Sequence, residues 1–519
     1  MVISLGILMI GIMLSSIVIF SLMKFFHKFW WVPMRIAYVM RSQGIRGPPH
    51  SFIHGNKNEI SIMRSRSMNL PMDISHHIFP RIQPHFDSWF QLYGKNFVYW
   101  VGPQAELVVT EPEFLKECMS NREISMGILD IDPISLKIIG GGGIVLSEGD
   151  KWANQRKIAN HAFHAERLKN MVPVMIESVA IMLKRWQDAG DKEVDVLDEF
   201  RILSSDVISR TAFGSSYEEG KQVFQLLRDL FVLVGKNFYK TQLPGLGKVF
   251  KSKEDVESDK MEATIRDQIM QIITSKEKTL VSGEEDKSSD DYLGLLLKAY
   301  HDEMDGSSYK LSIQDIIDDC KTIHFAAHQT TTLLLSWATL LLGVHTDWQE
   351  KARDEVQEVF GDDQQNLTSE GISKLKIMGM IINETLRLYP PGVFVHRKVW
   401  RQTKVGNYVL PANIKLHIPV LALHHDPKIW GEDAHLFKPE RFSEGISKAT
   451  NNNPGAFLPF GYGPRYCVGS NFVMNEAKIT LSMILRRYRF AQSPNYVHSP
   501  VQEVMLQPKF GVKIMIQPL

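Results

Sequence analysis

One cysteine, Cys467, lies in a glycine-rich loop directly before a stretch from Ser470 to Arg487 whose apolar spacing predicts a helix. A thiol at a helix N-terminus, beside Arg465, has its thiolate form stabilised by the helix dipole and by unpaired backbone N–H groups. Glycines at 461, 463 and 469 would let a flat group approach the backbone closely, because they lack a Cβ. The pattern favours an iron-binding thiolate, and the alternative is an ordinary buried cysteine.

The segment around this cysteine resembles the haem-binding loop F-x-x-G-x-R-x-C-x-G of the cytochrome P-450 superfamily. All five fixed positions match, and they are Phe460, Gly463, Arg465, Cys467 and Gly469. The resemblance implies that Cys467 is the axial iron ligand of haem b and that Phe460, Arg465 and Gly469 belong to the cofactor-binding loop. Electron donation from such a thiolate favours splitting of the O–O bond of dioxygen.

Two further motifs concern architecture. Glu384 and Arg387 resemble the family's E-x-x-R, and residues three apart on a helix share a face. Taken alone, such a pair is usually a surface ion pair that contributes under about 1 kcal/mol. Arg441 lies in Pro439–Phe442, which is similar to the family's P-E-R-F. The resemblance implies one buried structural network of Glu384, Arg387 and Arg441.

Other basic residues match positions that hold the haem propionates. Trp152 and Arg156 match the family's W-x-x-x-R, and a planar guanidinium suits a carboxylate. Without the other motifs, a tryptophan packed on a helix beside an exposed arginine would be the simpler interpretation. Arg397 is a looser match to a further propionate-binding arginine. The resemblance implies that Trp152, Arg156, Arg397 and Arg465 hold propionates.

The stretch Phe325–Thr331 resembles the centre of the family's distal helix, usually A-G-x-(D/E)-T-T. Thr330 then aligns with the oxygen-binding threonine, and Ala326, one turn earlier, shares its face. Ala327 replaces the glycine and Gln329 replaces the acid. The resemblance implies that Thr330 and Gln329 manage dioxygen protonation, although an amide cannot transfer a proton as a carboxylate does.

The resemblance also assigns cavity-lining residues. Ala326, Val393 and Phe394 would line the substrate cavity, as would the passage from Val501 to Met505. The glycines from Gly140 to Gly143 would form a pliable lid beside it, since no phosphate-loop ending follows them.

The N-terminus predicts a membrane anchor. Val2 to Met23 are 22 uncharged residues, enough helix to cross a hydrocarbon core of about 30 Å. A cleaved signal sequence is the alternative, but no basic region precedes the apolar run. Basic residues after the run place the body of the protein in the cytosol by the positive-inside rule. We expect an anchor at 1–23, a basic linker with a Gly47-Pro48-Pro49 hinge at 24–58, and a catalytic domain at 59–519.

The sequence pattern over residues 59–519 predicts a mostly α fold with a small β region. This is the cytochrome P-450 fold that the resemblance implies. Alternation predicts a hairpin over 97–109 and strands over 408–420. Helices are predicted at Asp347–Phe360, with a Thr346–Gln349 capping box, and at Leu375–Tyr389. The charged, serine-rich stretch Ser282–Asp291 predicts a mobile surface loop.

Composition excludes several classes of protein. Lys and Arg number 59 against 58 Asp and Glu, so the net charge of +1 provides no field for nucleic acid. Three cysteines without a C-x-x-C pair exclude a disulfide framework and a thiolate zinc clasp. His328 and the pairs His76-His77 and His424-His425 are expected to be packing or solvated histidines, because adjacent residues do not converge on one metal.

Together these features predict a membrane-anchored haem-thiolate monooxygenase that resembles the plant non-A-type group, clan 72. The resemblance implies a single-pass protein of the endoplasmic reticulum membrane that binds dioxygen and a lipophilic substrate such as a terpenoid, fatty acid or hormone. Its electrons would come from NADPH through a flavoprotein reductase. Two alternatives stay open: a haem-thiolate isomerase or dehydratase that needs no reductase, and a non-enzymatic haem-binding membrane protein.

Overall fold

The computed structural model of the chain describes residues 2–69, 72–121, 124, 140–190, 192–215, 217–237, 253–281, 291–301, 309–361 and 367–519. The α-helices are α1 Val2–Phe26, α2 Val32–Ser42, α3 Lys57–Met68, α4 Phe79–Ile82, α5 Pro84–Tyr93, α6 Pro112–Ser120, α7 Gly149–Ala162, α8 Ala165–Ala189, α9 Val196–Ile208, α10 Tyr217–Asn237, α11 Lys253–Val281, α12 Tyr292–His301, α13 Ile313–Val344, α14 Thr346–Phe360, α15 Ser369–Lys374, α16 Lys376–Leu388, α17 Val420–His424, α18 Pro427–Trp430, α19 Ile446–Ala449 and α20 Ser470–Arg487.

Eleven short strands accompany them within the described ranges: β1 Phe97–Val101, β2 Gln104–Val108, β3 Glu193–Asp195, β4 Val395–Lys398, β5 Thr403–Val405, β6 Tyr408–Leu410, β7 Lys415–Ile418, β8 Tyr488–Gln492, β9 Pro500–Gln502, β10 Leu506–Pro508 and β11 Lys513–Pro518. The predicted fold class, mostly helical with a small β region, is confirmed.

The chain divides into two compact units, and the first comprises Met1–Leu70, Phe79–Gly127 and His396–Pro419. Its main sheet has the strand order β1-β2-β7-β4. The predicted hairpin is present, with β1 antiparallel to β2, and β2 runs parallel to β7. Leu107 and Leu416 face each other in that parallel pair and are fully buried, which fixes the register of the sheet.

The N-terminal helix of this unit is longer than the apolar run. After α1, a π-helical turn at His27–Trp31 leads directly into α2, which ends at Ser42. Most side chains of α1 that the structure describes are exposed, and one apolar helix over Met9–Ser42 is long enough to span a membrane. Helix therefore continues into the segment expected to be a linker.

The expected hinge is held against the first sheet. The Val98 amide donates to the Arg46 carbonyl at 2.9 Å, and a Cβ on Gly47 would overlap the Val98 carbonyl. The Asn56 side chain accepts from the Trp100 amide at 2.9 Å. Glycine is required at 47 because the backbones approach so closely, and this contact fixes the segment instead of leaving it free to bend.

The second unit comprises Pro71–Ile78, Ile128–Val395 and Val420–Leu519. Its longest helix, α13, begins with a capping box in which the Ser312 hydroxyl accepts from the Asp315 amide and the Asp315 carboxylate accepts from the Ser312 amide. Nearly all of its C-terminal half is buried, and α9 packs along it. A sheet of order β3-β11-β8 lies in the same unit.

Two predicted helices have the expected extent, but one predicted cap is wrong. The α14 helix spans Thr346–Phe360, and its N-cap is His345 with no side-chain hydrogen bond. The Gln349 amide instead donates to the carbonyls of Leu342 and Phe490, so tertiary contacts outcompete the local cap. Of the loop predicted at Ser282–Asp291, residues 282–290 lie outside the described residues. Asp291 is buried and paired with Lys276.

Candidate haem-thiolate site

The loop before α20 turns sharply so that Cys467 is presented at its end. The Cys467 amide donates to the Phe460 carbonyl at 2.9 Å, and a short 3₁₀ turn occupies Gly463–Arg465. Gly461 and Gly463 have φ of +75° and +77°, which a residue with a Cβ adopts only under strain. Cys467 is exposed, whereas Cys118 and Cys320 are buried in the helical packing. The backbone of the loop therefore holds the Cys467 side chain at an exposed position.

Groups around this thiol shift its pKa in opposite directions. Although Cys467 is exposed at the end of the loop, desolvation by the surrounding atoms raises its pKa, while the Gly469 amide and the charge of Arg156 lower it. Arg156 is thus a cation beside the sulfur. A bound metal ion deprotonates a coordinating thiol.

Three predicted propionate residues of the second unit lie together beside the cysteine loop. Arg156 on α7 donates to the Tyr466 carbonyl at 2.7 Å. The Arg465 guanidinium lies over the Trp152 ring, 4.8 Å from its centroid, and donates to the Ser147 carbonyl at 2.7 Å. Helix α7 thus places Trp152 and Arg156, one turn apart, against the two residues that precede Cys467.

The Arg156 guanidinium is consistent with a bound anion. Among the described residues, half-buried Arg156 has no carboxylate partner, and burial lowers its pKa. A cation without a carboxylate partner can bind an anion, so Arg156, with Trp152 and Arg465 beside it, fits a haem propionate. Arg397 is half-buried in the first unit, where its Nε has no partner among the described residues and its Nη1 donates to the His396 carbonyl at 2.6 Å. Its role at a propionate stays a prediction.

The predicted architectural network is present, with Glu384 and Arg387 fully buried and Arg441 half-buried. Arg387 donates from Nε and Nη2 to the two carboxylate oxygens of Glu384, each at 2.7 Å. Its remaining donors reach the carbonyls of His424, Ala434 and Leu436. Arg441 lies 3.6 Å from Glu384 and bonds the Trp430 carbonyl and Asp433. The structure therefore brings all three residues of the motif together.

The distal helix separates the two residues expected to act together. The Thr330 hydroxyl, half-buried on α13, donates to the Ala326 carbonyl at 2.6 Å. Gln329 is buried and instead lines a cavity of about 480 Å³ with Arg201, Arg228, Phe231 and Gln507. Successive helical residues point about 100° apart, so the structure shows no contact between the Gln329 amide and the Thr330 hydroxyl.

The other cavity residues differ in accessibility. Val393 is 1% exposed and packs in the core, where its carbonyl accepts from the Leu421 amide. Phe394 and Ala326 are half-buried, as are Val501 and Met505. Val393 therefore offers almost no surface to a ligand, contrary to expectation.

The glycine run is a tight contact and not a pliable lid. Its described members pack on α13: the Gly142 amide donates to Asp318 at 2.8 Å, and the Ile144 amide to Asp319 at 2.7 Å. A Cβ on Gly143 would overlap the Thr322 hydroxyl. The glycines are needed for close approach, so the segment braces α13 against the start of α7.

His328 and the two adjacent histidine pairs named from the sequence make packing contacts. Burial lowers the pKa of His328 to about 3, and its ring lies 5.8 Å from that of Phe224. His76 contacts the Tyr389 hydroxyl at 2.8 Å, while His424 accepts from the Leu458 amide at 2.9 Å. The members of each adjacent pair have different partners, as expected.

A buried acid on α20 was missed by the sequence reasoning. Glu476 is 1% exposed, and burial raises its pKa to about 8, with the Ser204 hydroxyl acting in the opposite direction. It faces inward with Phe472 and Ile479, and this position on the apolar face of a predicted helix was the available signal. This shift favours the uncharged form of the acid at neutral pH.

Comparisons with known proteins show the family of the chain. The profile of the family described as Cytochrome P450 matches residues 74–514. The chain is 52% identical over 512 residues to "Cytochrome P450 CYP749A22" of Panax ginseng, covering 98% of this chain and 97% of the relative. It is 40% identical over 508 residues to "11-oxo-beta-amyrin 30-oxidase" of Glycyrrhiza uralensis, covering 95% and 94%.

A solved structure shows the same fold. The structure titled "Retinoic acid bound cyanobacterial CYP120A1" is similar with a TM-score of 0.72 at 23% sequence identity, covering 86% of this chain and 96% of that one. The plant relatives are those of clan 72, as the resemblance implied. With its cysteine loop, its E-x-x-R network and relatives that align over almost its whole length, the chain belongs to the cytochrome P450 family and is a haem-binding monooxygenase.

Proposed function

We propose that this monooxygenase is anchored in the endoplasmic reticulum membrane with its body in the cytosol. Its electrons come from NADPH through a flavoprotein reductase, and it inserts one oxygen atom into a hydrophobic small molecule such as a terpenoid, fatty acid or hormone. The observation that carries the proposal is the exposed Cys467 at the end of its loop, beside Arg156. The relative named as an 11-oxo-beta-amyrin oxidase supports the substrate class.

Cys467 ligates the haem iron, and haem so ligated supplies the activation of dioxygen. Arg156, Arg465 and Trp152 hold the propionates, and Arg397 is assigned the same role from its unpartnered Nε. Phe460 and Gly469 shape the loop: a Cβ on Gly469 would lie 4.0 Å from the sulfur. These residues bind and orient the cofactor.

Thr330 holds a proton at its Oγ1 on the distal helix. Its hydroxyl proton points to the Ala326 carbonyl, so the oxygen lone pairs stay free to accept a further hydrogen bond. Gln329 lines a separate cavity with charged residues such as Arg201 and Arg228. A share of Gln329 in proton transfer through ordered water stays a prediction.

Anchoring rests on α1, whose exposed apolar side chains need lipid, and on Lys24, Lys28 and Arg35 after the apolar run. Protease treatment of sealed microsomes checks the topology. We expect the body to be digested from outside and the N-terminal segment to be protected. A protected body would refute the cytosolic orientation.

The central test is spectroscopic. The dithionite-reduced protein treated with carbon monoxide should show the red-shifted Soret band of thiolate-ligated haem, and Cys467→His should lose that shift while retaining bound haem. Cys118→Ser is the matched control. An unshifted band in the native protein would refute haem-thiolate ligation.

Catalysis is tested separately. Plant lipophiles are screened for binding by spectral shift, and hits are incubated with reductase, NADPH and dioxygen before the product is analysed by mass. We expect products heavier by one oxygen atom, and Thr330→Ala should consume NADPH while forming less product. Product formed without NADPH would favour the isomerase or dehydratase, and unchanged turnover in Thr330→Ala would remove the role of Thr330.

A further inference from the structure

Four polar side chains meet on one face of the main sheet of the first unit, one from each strand. In the order of the strands they are Tyr99 on β1, Glu106 on β2, His417 on β7 and His396 on β4. Tyr99 and Glu106 are cross-strand partners, and Val108, two residues after Glu106, pairs with His417. We propose that Glu106, His396 and His417 bind a divalent transition-metal ion, zinc being the best suited, and that Tyr99 positions the carboxylate.

The separations of the donor atoms are close to those of a metal site. Glu106 Oε2 lies 3.5 Å from His417 Nδ1 and 3.7 Å from His396 Nε2. The two nitrogens are 2.6 Å apart, and all three donor atoms lie within 4.8 Å of one another. Ligands about 2.0–2.2 Å from a tetrahedral zinc stand roughly 3.3 Å apart. Only the two imidazoles need to separate, by less than about 1 Å.

Burial and charge favour a cation at this point. Glu106 and His417 are each 5% exposed. The Glu106 carboxylate lies beside two imidazole nitrogens, each of which has a lone pair that can bind a metal ion, and a buried carboxylate is stabilised by a cation partner.

The surroundings hold the ligands in place. The Tyr99 hydroxyl donates to Glu106 and lies 3.1 Å from His417 Nδ1, so it orients the carboxylate. The Phe86 ring packs edge-on against the rings of His417 and Tyr99, at 4.9 and 5.6 Å. Imidazole and carboxylate ligands suit zinc, and the three residues supply three of the four positions around a tetrahedral ion.

The metal content of the intact, haem-containing protein tests the proposal. After incubation with a zinc salt and removal of the excess, we expect one equivalent of zinc per chain. Its X-ray absorption edge, distinct from that of haem iron, should report nitrogen and oxygen ligands at about 2.0 Å. Glu106→Gln should lose the zinc, and Glu111→Gln, the same change at an exposed position of this unit, should keep it. A native protein without zinc, or a Glu106→Gln variant that retains it, would overturn the proposal.

Two measurements cover the case in which Glu106→Gln fails to fold. Tyr99→Phe keeps all three ligands and should weaken zinc binding roughly 10–100-fold, as loss of an outer partner does. A strong chelator added to the native protein should lower its melting temperature, and zinc should restore it. A metal-free network of hydrogen bonds would leave the melting temperature unchanged by both additions, which would also refute the site.

Discussion

Two arginine sites of the second unit differ in where their partners come from. Arg387, fully buried, binds the Glu384 carboxylate through two hydrogen bonds and three carbonyls through its remaining donors. Arg156, half-buried, reaches one carbonyl and has no carboxylate partner among the described residues. The first site is complete within the protein, so it serves stability. The second lacks an anion, as the proposed binding of a haem propionate requires.

Removing the centre of the complete site should have the largest effect. Arg387→Met leaves Glu384 charged and buried, and breaking a buried pair costs about 3–5 kcal/mol. We expect most of the free energy of unfolding to be lost, as measured by urea denaturation of the haem-free and haem-bound protein. Arg489→Met is the control, since Arg489 pairs with Glu350 at the exposed surface; it should change stability by less than about 1 kcal/mol.

Removing the cation of the incomplete site should act on haem and not on the fold. Arg156→Ala should weaken haem binding by about 1.5–3 kcal/mol, the range for a hydrogen bond to a charged group. Transfer of haem to an acceptor protein measures this change, and urea unfolding of the haem-free chain should be almost unaffected. Lys157→Ala, the exposed neighbour on α7, is the control. An equal loss of stability in the haem-free protein would remove the distinction between the two sites.

The glycine segment Gly140–Gly143, which packs on α13, offers a way to disturb the haem site indirectly. Gly143→Ala places a methyl group against the Thr322 hydroxyl, and such overpacking costs about 1–3 kcal/mol. We expect a lower melting temperature and, because the brace leads into α7, faster loss of haem. Gly379→Ala in α16 has its nearest atoms at 3.9 Å and should be neutral or stabilising. A neutral Gly143→Ala would show that the segment moves freely.

Glu476 is a buried group that has no cation partner among the described residues. Its pKa is raised to about 8 from an ordinary 4.5. The folded protein therefore binds more protons than the unfolded chain between these values, and stability is lost as pH rises from about 4.5 to about 8. Glu476→Gln should reduce this slope and stabilise the protein at pH 8 by about 1 kcal/mol or more. Urea unfolding at pH 5 and pH 8 measures both, and a slope equal to that of the native protein would contradict the assignment.

Local patterns predicted much of this structure because the chemistry of the cysteine loop and of the E-x-x-R pair depends on residues close in sequence. The hairpin at β1 and β2 and the helix α20 follow from spacing alone. The Gln349 cap failed because its amide finds the Phe490 carbonyl, which is distant in the chain. The shared role of Gln329 and Thr330 in dioxygen protonation stays a prediction, and because neighbours on a helix diverge, it would need a bridging water molecule.

Sequence spacing could not reveal the cluster of Glu106, His396 and His417. Its members come from three strands that are separated along the chain, and only the order β2-β7-β4 makes them neighbours. No short motif contains two of them. The same applies to the fixed position of Gly47, which depends on its contact with β1.

The junction between α2 and the sheet-bearing unit has a mechanical consequence. The Gln43 side chain, just after α2, bonds the backbone of Val409 twice, through its amide nitrogen at 3.0 Å and its oxygen at 2.6 Å. Because helix continues from α1 to this point, these two bonds couple the direction of the helix to that of the attached strands. Bilayer thickness influences the tilt of a membrane-spanning helix, so under the proposed anchoring a change in lipid composition would be transmitted to these strands.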